Sequence, residues 1–295
     1  MNSPSKMSLK IADASQNLVK MVTLRWLFLT LPFALMGAVL PFKSFPPAPE
    51  LFWIFFAFFN ARNGGMFVNR LVDRKIDAEN PRTRHRLLPS GQLSVSAAIM
   101  ATIVSFLLYI WSAYQLNPLC FRLSPIPIFF ICCYPYAKRF TWGLHFLLGI
   151  TMAFAPLGAW IAVGGPVGLP VVLLSVAVLL WGAAFDIVLD NQDTDFYKQK
   201  GLHSLPAALG YTGANLVALL THLTAMALFF YLAALLHMGM IFYAGLGVIA
   251  VLLAYEYGVA FFKGLESYQR IVYRANIKIT VFFFLFTVFD IYLGK

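Results

Sequence analysis

Apolar segments long enough to cross a lipid bilayer recur along this chain, and they constrain its fold more than any other feature. A transmembrane helix needs about 20 consecutive, mostly apolar residues. Nine segments meet this requirement, near 22–41, 51–69, 95–116, 119–136, 143–164, 169–190, 212–236, 240–262 and 276–293. The segment at 119–136 is short and contains Pro125 and Pro127, which neighbouring helices can accommodate. The sequence therefore predicts an all-α bundle of nine transmembrane helices.

The composition agrees with a membrane protein. Hydrophobic residues make up 60% of the 295 residues and charged residues only 12%, with a mean hydropathy of +0.76. Soluble domains are about 45–50% apolar and about 25% charged. The net charge of +10 would favour nucleic-acid binding in a soluble protein, but here the basic residues fall between the apolar segments. We therefore expect no nucleic-acid partner, and we attribute the basic residues to orientation in the bilayer and to anionic lipids or substrates.

The distribution of basic residues predicts the orientation. With the N-terminus placed in the cytoplasm, 19 of the 22 basic residues fall on the cytoplasmic side, and only Lys43, Arg122 and Lys295 fall on the other. Because cytoplasmic loops carry the excess of Lys and Arg, this favours a cytoplasmic N-terminus and an odd number of helices. We expect a multi-pass protein of the inner (cytoplasmic) membrane whose active site faces the cytoplasm. Residues 1–20 read as a cytoplasmic lead-in, with a short amphipathic helix around Leu9–Val19, and residues 21–295 as one membrane domain.

A ladder of polar side chains follows the second apolar segment. Asn69, Asp73 and Asp77 are spaced by four residues and so lie on roughly one face of a helix. Placing such a ladder at the end of a membrane helix is costly unless it binds something, and an ion is the best candidate. Carboxylate oxygens, one or two at a time together with substrate phosphate, are the ligands that Mg²⁺ prefers.

A second acidic cluster follows the sixth apolar segment. Asp186, Asp190 and Asp193 have i, i+4, i+7 spacing and are predicted to share a helix face. A solvated, charge-mixed helix end is the alternative for either cluster alone. Two clusters at matching places, both at the cytoplasmic end, favour a shared site for Mg²⁺ and a diphosphate.

Basic side chains accompany both clusters, and a diphosphate leaving group needs its charge neutralised by such groups. Those near the first cluster are Arg70, Arg74, Lys75, Arg82, Arg84 and Arg86, and those after the second are Lys198 and Lys200. For Arg82 and Arg84 we expect no role beyond membrane topology, that is, orientation of the protein in the bilayer by their positive charge. Tyr134 and Lys138, at the end of the fourth segment, have the spacing of a phosphate contact, although both residue types are also common at membrane interfaces.

Arg62 differs from these because it lies inside the second apolar segment, next to Gly64 and Gly65. An intramembrane arginine is costly and usually pairs with an anion, either a substrate carboxylate or a buried aspartate. The five histidines show no metal-ligand spacing, and we place only His203 near a site. The three cysteines show no metal-ligand spacing either.

Taken together, these motifs resemble the UbiA superfamily of intramembrane prenyltransferases over nearly the whole chain. Asn69-x3-Asp73-x3-Asp77 fits the first family motif completely, and the stretch from Arg86 to Gly91 is similar to the Arg-Pro-Leu-Pro-Ser-Gly that follows it. Asp186-x6-Asp193 fits two positions of the second motif. The local sequences at 185–187 and 201–206 are similar to those of the 4-hydroxybenzoate polyprenyltransferase branch and its menaquinone-pathway relatives.

The second motif departs from the family pattern at two positions. Leu189 stands where a tyrosine is expected, and Tyr197 stands where a third aspartate is expected. We hypothesise that Asp190 and Asp195 supply replacement oxygens.

The resemblance implies transfer of a polyprenyl group from its diphosphate to the ring of an aromatic acid in respiratory quinone synthesis. It implies that Asp73, Asp77, Asp186 and Asp193 hold Mg²⁺, with Asn69 as an auxiliary ligand. Lys138, Tyr134 and Arg74 or Arg86 would stabilise the departing charge, and Arg62 would face the acceptor. The acceptor is expected to be 4-hydroxybenzoate or a dihydroxynaphthoate-type compound. The alternative of another class is a membrane transporter. Transporter sites usually lie near the membrane midplane, whereas both acidic clusters are predicted at the cytoplasmic end, which argues against this alternative.

Overall fold

The computed structural model of the protein describes residues 24–263 and 265–294, all of whose regular structure is helical. The predicted lead-in at 1–20 and its amphipathic helix lie outside the described residues. The α-helices are α1 (Leu24–Val39), α2 (Ala48–Glu79), α3 (Val95–Leu116), α4 (Pro118–Leu123), α5 (Pro125–Cys133), α6 (Leu144–Ala162), α7 (Leu169–Asp190), α8 (Thr194–Lys200), α9 (Leu205–Leu235), α10 (Met240–Lys263) and α11 (Leu265–Leu293). Two 3₁₀-helices, Tyr134–Arg139 and Asn191–Asp193, follow α5 and α7.

The nine predicted spans all correspond to helical segments in the described part of the chain. Eight are long and apolar enough to cross a membrane, and the shorter apolar helix α1 occupies the first predicted position. The fourth span is not one continuous helix, because α4 ends at Leu123 and α5 begins at Pro125. Proline has no N–H to donate and clashes with the preceding turn, so a new helix begins at Pro125, whereas Pro127 lies within the first turn of α5.

The outer surface of the bundle is apolar, as expected for lipid contact. On α3, Met100 and Leu107 are both 61% exposed and Trp111 is 52% exposed. Exposed apolar surface on this scale is avoided by soluble monomers. The protein is therefore an integral membrane protein.

The main hydrophobic core lies on one side of the bundle. Helix α7 packs against α6 and α9, α10 packs against α11, and α1 packs against α6 and α11. Aromatic rings fill the centre: Phe33 stacks on Phe229 with ring centroids 6.1 Å apart, and Phe229 meets Phe283 edge-on at 4.7 Å. Helices α2 and α3 form the other side, packed against each other. A cavity remains between this pair and α6–α7.

Helix ends that the predicted topology places on the same side of the membrane contact each other in the structure. At one end Lys43 donates to the carbonyl of His237 (3.0 Å), and the Phe45 amide donates to the Tyr292 hydroxyl (3.2 Å). At the other end the His203 amide donates to the carbonyl of Lys138 (2.7 Å). Which end faces the cytoplasm stays a prediction.

Helix α2 is longer than the predicted span. Its 32 residues extend for about 48 Å, whereas the hydrocarbon core of a bilayer is about 30 Å thick. The helix therefore continues past the apolar segment and carries Asn69, Asp73 and Asp77 on its last turns.

Candidate active site

A single cavity of about 750 Å³ collects most of the predicted site residues. Ten of them line it: Arg62, Asn69, Asp73, Asp77, Arg86, Tyr134, Lys138, Asp186, Asp190 and Asp193. Its polar end lies between the last turns of α2 and the segment where α7 ends. Apolar and aromatic side chains form the remaining walls, among them Ile54, Phe58, Tyr109 and Phe154. The two acidic clusters, separated by more than a hundred residues in sequence, thus face one space.

The carboxylates of the first cluster are buried and each contacts basic groups. Asp73 is only 2% exposed, and its Oδ2 accepts a hydrogen bond of 2.6 Å from Lys138 Nζ. Arg139 adds a longer contact to Asp73 at 3.6 Å. Asp77 receives the guanidinium of Arg86 at 2.8 Å on both oxygens, and Arg70 lies 3.9 Å away. The cluster therefore alternates acidic and basic side chains around the polar end of the cavity.

A 3₁₀-helix brings Tyr134 and Lys138 to this cluster. The sequence placed both residues at the end of a transmembrane α-helix, but α5 ends at Cys133 and the next six residues form the 3₁₀-helix. Asn69 Nδ2 donates to the Tyr134 hydroxyl at 2.9 Å, which leaves the amide oxygen of Asn69 available as a ligand. Tyr134 thus links the polar ladder of α2 to the segment that carries Lys138.

The sequence predicts that the second cluster shares one helix face, but in the structure the cluster is not on one continuous helix. Helix α7 ends at Asp190 and a 3₁₀-turn carries Asp193, yet Asp186, Asp190 and Asp193 all line the cavity. The early end of α7 fits the local sequence, since Asn191 donates its side-chain amide back to the carbonyl of Val188 at 3.2 Å. Such side-chain hydrogen bonds compete with the helical ladder.

Asp193 is held by a residue that we had attributed to topology. Arg82 donates two hydrogen bonds to the carboxylate of Asp193, and Asn80 donates a third at 2.9 Å. Burial alone would lower the pKa of Arg82, but the hydrogen bonds and charge of Asp193 raise it, so the guanidinium stays charged. The interpretation of Arg82 as a topological residue is therefore wrong. Arg84 lies exposed in the same loop and is not part of the cavity wall.

His145 is the second residue that sequence reasoning missed. It is fully buried at the start of α6, and its Nδ1 lies 2.8 Å from Asp186 Oδ2, while its Nε2 lies 3.9 Å from Asp190 Oδ2. His203, the histidine that we placed near a site, lines a separate shallow pocket with Trp142 and Lys198. A lone histidine 41 residues from its partner carries no spacing signal.

The two departures from the family motif both face the cavity. Leu189 and Tyr197 belong to its wall, and the Lys138 ammonium lies 5.8 Å from the centre of the Tyr197 ring. Asp190 also lines the cavity, whereas Asp195 is exposed on α8. Of the two proposed replacement carboxylates, the structure brings only Asp190 to the site.

Two predicted substrate-binding residues lie away from the cavity. Arg74 is exposed and donates to the carbonyl of Leu71 at 2.9 Å on its own helix. Lys198 is exposed and lines the shallow pocket near Trp142. Arg70, Arg82 and Arg86 supply the guanidinium groups at the polar end of the cavity instead.

The donor set fits Mg²⁺. Asp73 Oδ1 and Asp190 Oδ2 are buried and accept no hydrogen bond from the described residues. Within the same part of the chain, no three His, Cys, Asp or Glu side chains lie close enough to enclose a metal ion. Mg²⁺ is commonly held by one or two carboxylates together with substrate phosphates and waters, so it does not need such a cage.

Comparisons with known proteins identify the family of this chain. The model of the UbiA prenyltransferase family matches residues 30–277. A 4-hydroxybenzoate octaprenyltransferase from Pseudoalteromonas translucida is 31% identical over 66% of this chain and 66% of its own length. A 4-hydroxybenzoate solanesyltransferase from Synechocystis is 31% identical over 77% of this chain and 80% of its own.

Solved structures share the fold. The apo structure of a UbiA homologue from Aeropyrum pernix matches with a TM-score of 0.83 at 28% identity, covering 91% of this chain and 99% of that one. A UbiA homologue from Archaeoglobus fulgidus bound to GPP and Mg²⁺ matches with a TM-score of 0.66 at 19% identity, covering 95% and 99%. The family match makes this chain an enzyme rather than a transporter: it belongs to the UbiA prenyltransferase family.

Proposed function

We propose that the protein transfers a polyprenyl group from polyprenyl diphosphate to the ring of an aromatic acid, with 4-hydroxybenzoate as the first candidate acceptor, in respiratory quinone synthesis. One observation carries the proposal: two acidic clusters and their basic partners share the polar end of one cavity whose other walls are apolar. A polyprenyl diphosphate has a charged diphosphate head and a long hydrocarbon tail, so its binding site needs both a polar end and apolar walls. The names of the relatives from Pseudoalteromonas and Synechocystis support 4-hydroxybenzoate.

Asp73 and Asp77 on α2, and Asp186, Asp190 and Asp193 at the end of α7, would hold Mg²⁺, assisted by Asn69. The Archaeoglobus homologue of the same fold is bound to Mg²⁺ and GPP, which supports the choice of ion. When bound, the ion would neutralise charge on the diphosphate oxygens and so favour departure of the leaving group.

The basic groups of the cavity wall provide the remaining neutralisation. Lys138, Arg70, Arg82 and Arg86 all line the polar end and are now paired with aspartates. Guanidinium and ammonium groups that are already oriented stabilise developing negative charge without reorganisation at the moment of reaction. We assign them to the diphosphate as the bond to the prenyl carbon breaks.

The apolar walls protect the reactive centre. Loss of diphosphate leaves an allylic cation, and the electron-rich ring carbon ortho to the phenol attacks it and then loses its proton. Exclusion of water prevents the competing capture of this cation. Arg62 on α2 lines the same cavity, and we assign it to the carboxylate of the acceptor.

An assay of the purified protein in lipid tests the proposal. Prenyl diphosphates of graded length are combined with Mg²⁺ and either 4-hydroxybenzoate or 1,4-dihydroxy-2-naphthoate, and products are identified by mass spectrometry. We expect C-prenylated 4-hydroxybenzoate, abolished by EDTA and restored by excess Mg²⁺. Exclusive prenylation of the naphthoate would move the enzyme to the menaquinone pathway, and absence of any prenylated acid would overturn the proposal.

A further inference from the structure

His145 is a buried ionisable side chain that touches the second acidic cluster from outside the cavity. None of its surface is exposed, and it is absent from the cavity wall that Asp186 and Asp190 line. Both ring nitrogens contact the protein: Nδ1 lies 2.8 Å from Asp186 Oδ2, and Nε2 lies 3.3 Å from the backbone nitrogen of Leu205. The imidazole therefore joins the start of α6, the end of α7 and the start of α9.

These two contacts fix the tautomer. A backbone N–H can only donate, so Nε2 of His145 accepts the hydrogen bond from Leu205 and carries no proton. The proton of the neutral ring is then on Nδ1, which donates it to Asp186 Oδ2. This hydrogen bond fixes the rotation of the Asp186 carboxylate from the side away from the cavity, because one of its oxygens is held by a ring that cannot turn.

The same arrangement leaves one carboxylate oxygen of Asp190 without a hydrogen-bond partner among the described residues. Asp190 Oδ2 is 3.9 Å from Nε2, which has no proton to give. It is buried and accepts no hydrogen bond from the described part of the chain. Two carboxylates on successive turns of α7 therefore present oxygens to the cavity, with one oriented by His145 and the other open to a cation.

We propose that His145 is a positioning residue for the metal-holding carboxylates of the second cluster, and that it acts through Asp186. The inference rests on the proposed function, in which these aspartates hold Mg²⁺. Partners that hydrogen-bond to ligating side chains from behind typically contribute about 10- to 100-fold to metal affinity. His145 would do so without touching the metal or either substrate.

The test measures binding of Mn²⁺, used as a paramagnetic substitute for Mg²⁺, to the purified full chain in detergent by the loss of its free EPR signal. Titrations are run with Mn²⁺ alone and with inorganic pyrophosphate present. His145→Leu removes both hydrogen bonds, whereas His145→Asn is smaller than histidine but keeps an N–H close to the position of Nδ1. We expect the leucine variant to weaken Mn²⁺ affinity by about 10- to 100-fold, and the asparagine variant to recover most of that loss.

His222 provides the matched control because it is also fully buried, with its Nδ1 2.7 Å from the Tyr257 hydroxyl, away from the cavity wall. His222→Leu should leave Mn²⁺ affinity unchanged. In an Asp186→Asn background, His145→Leu should have little further effect. If the leucine variant does not fold, His145→Ala replaces it in the comparison with His145→Asn.

Three results would overturn the inference while leaving the proposed function intact. These are equal affinities for His145→Leu and wild type, an equal loss in His222→Leu, or an undiminished effect in the Asp186→Asn background. Wild-type protein that binds no Mn²⁺ under either condition would overturn both the inference and the metal-dependent function on which it rests.

Discussion

Arg62 lies on α2 seven residues, or about two helical turns, before Asn69 and lines the same cavity. This places it deeper in the bundle than the aspartates of the first cluster, toward the apolar walls. A guanidinium in such surroundings interacts strongly with a carboxylate. The residue is therefore suited to select an acidic acceptor, while the clusters at the end of the helix select the diphosphate.

Replacing Arg62 by Ala should raise the KM for the aromatic acid by about 10- to 100-fold, because a hydrogen bond to a charged group contributes about 1.5–3 kcal/mol. The KM for the prenyl diphosphate should change far less. Steady-state kinetics with each substrate varied in turn would show the difference. Equal effects on both substrates would contradict the acceptor role, as would an equally large penalty with an acceptor that lacks the carboxylate.

Arg82 offers a second prediction at this scale, with a control two residues away. Arg82→Gln removes the hydrogen bonds to Asp193 and one positive charge from the cavity wall. We expect kcat/KM for the prenyl diphosphate to fall by about 10- to 100-fold, because a hydrogen bond to a charged group contributes about 1.5–3 kcal/mol. Arg84→Gln removes the same charge from a loop position outside the cavity wall and should leave the value within about twofold. Similar losses in the two variants would indicate a general effect of loop charge instead.

At the scale of the helices, the site depends on how closely α6 and α7 approach each other. Gly149 lies one turn after His145, and a Cβ built on it would be 2.3 Å from the backbone oxygen of Leu179 on α7. No side chain fits between the helices at this point. The close approach is what allows His145 on α6 to reach Asp186 on α7.

Gly149→Ala should therefore destabilise the protein by about 1–3 kcal/mol, the usual cost of overpacking, and lower its Tm in detergent. Gly158 lies on the same helix, and a Cβ there meets nothing within 4 Å. Gly158→Ala should leave the Tm unchanged or raise it slightly, because alanine favours helix. Thermal unfolding of both variants checks the prediction, and an unchanged Tm for Gly149→Ala would refute it.

The helices also show which features are readable from sequence. Asn69, Asp73 and Asp77 are recognisable because helical periodicity alone places them on one face. The ends of α5 and α7 are not, because prolines and the Asn191 side-chain hydrogen bond break the period where the polar residues begin. Arg82 and His145 reach partners 111 and 41 residues away, through packing between helices that no local pattern encodes.

At the scale of the whole molecule, the two acidic clusters of the cavity and their basic partners lie toward one end of the bundle. The loop after α2 and the segment after α7 meet there, where Lys200 pairs with Glu79. Lys43, His237 and Tyr292 mark the opposite end through the hydrogen bonds that join them. The basic residues of the sequence gather at the first end, so the positive-inside rule predicts that the site opens to the cytoplasm.

Cysteine accessibility in intact bacterial cells would test this orientation. The native Cys120, Cys132 and Cys133 are first replaced by Ser, and single cysteines are then introduced at Ser90, exposed in the loop after α2, and at Ser44, exposed near Lys43. A membrane-impermeant maleimide should label Ser44→Cys in intact cells and Ser90→Cys only after lysis, since the loop after α2 is predicted to lie inside. Denatured samples control for the reactivity of each cysteine. The opposite labelling pattern would invert the predicted topology and place the diphosphate site outside the cytoplasm.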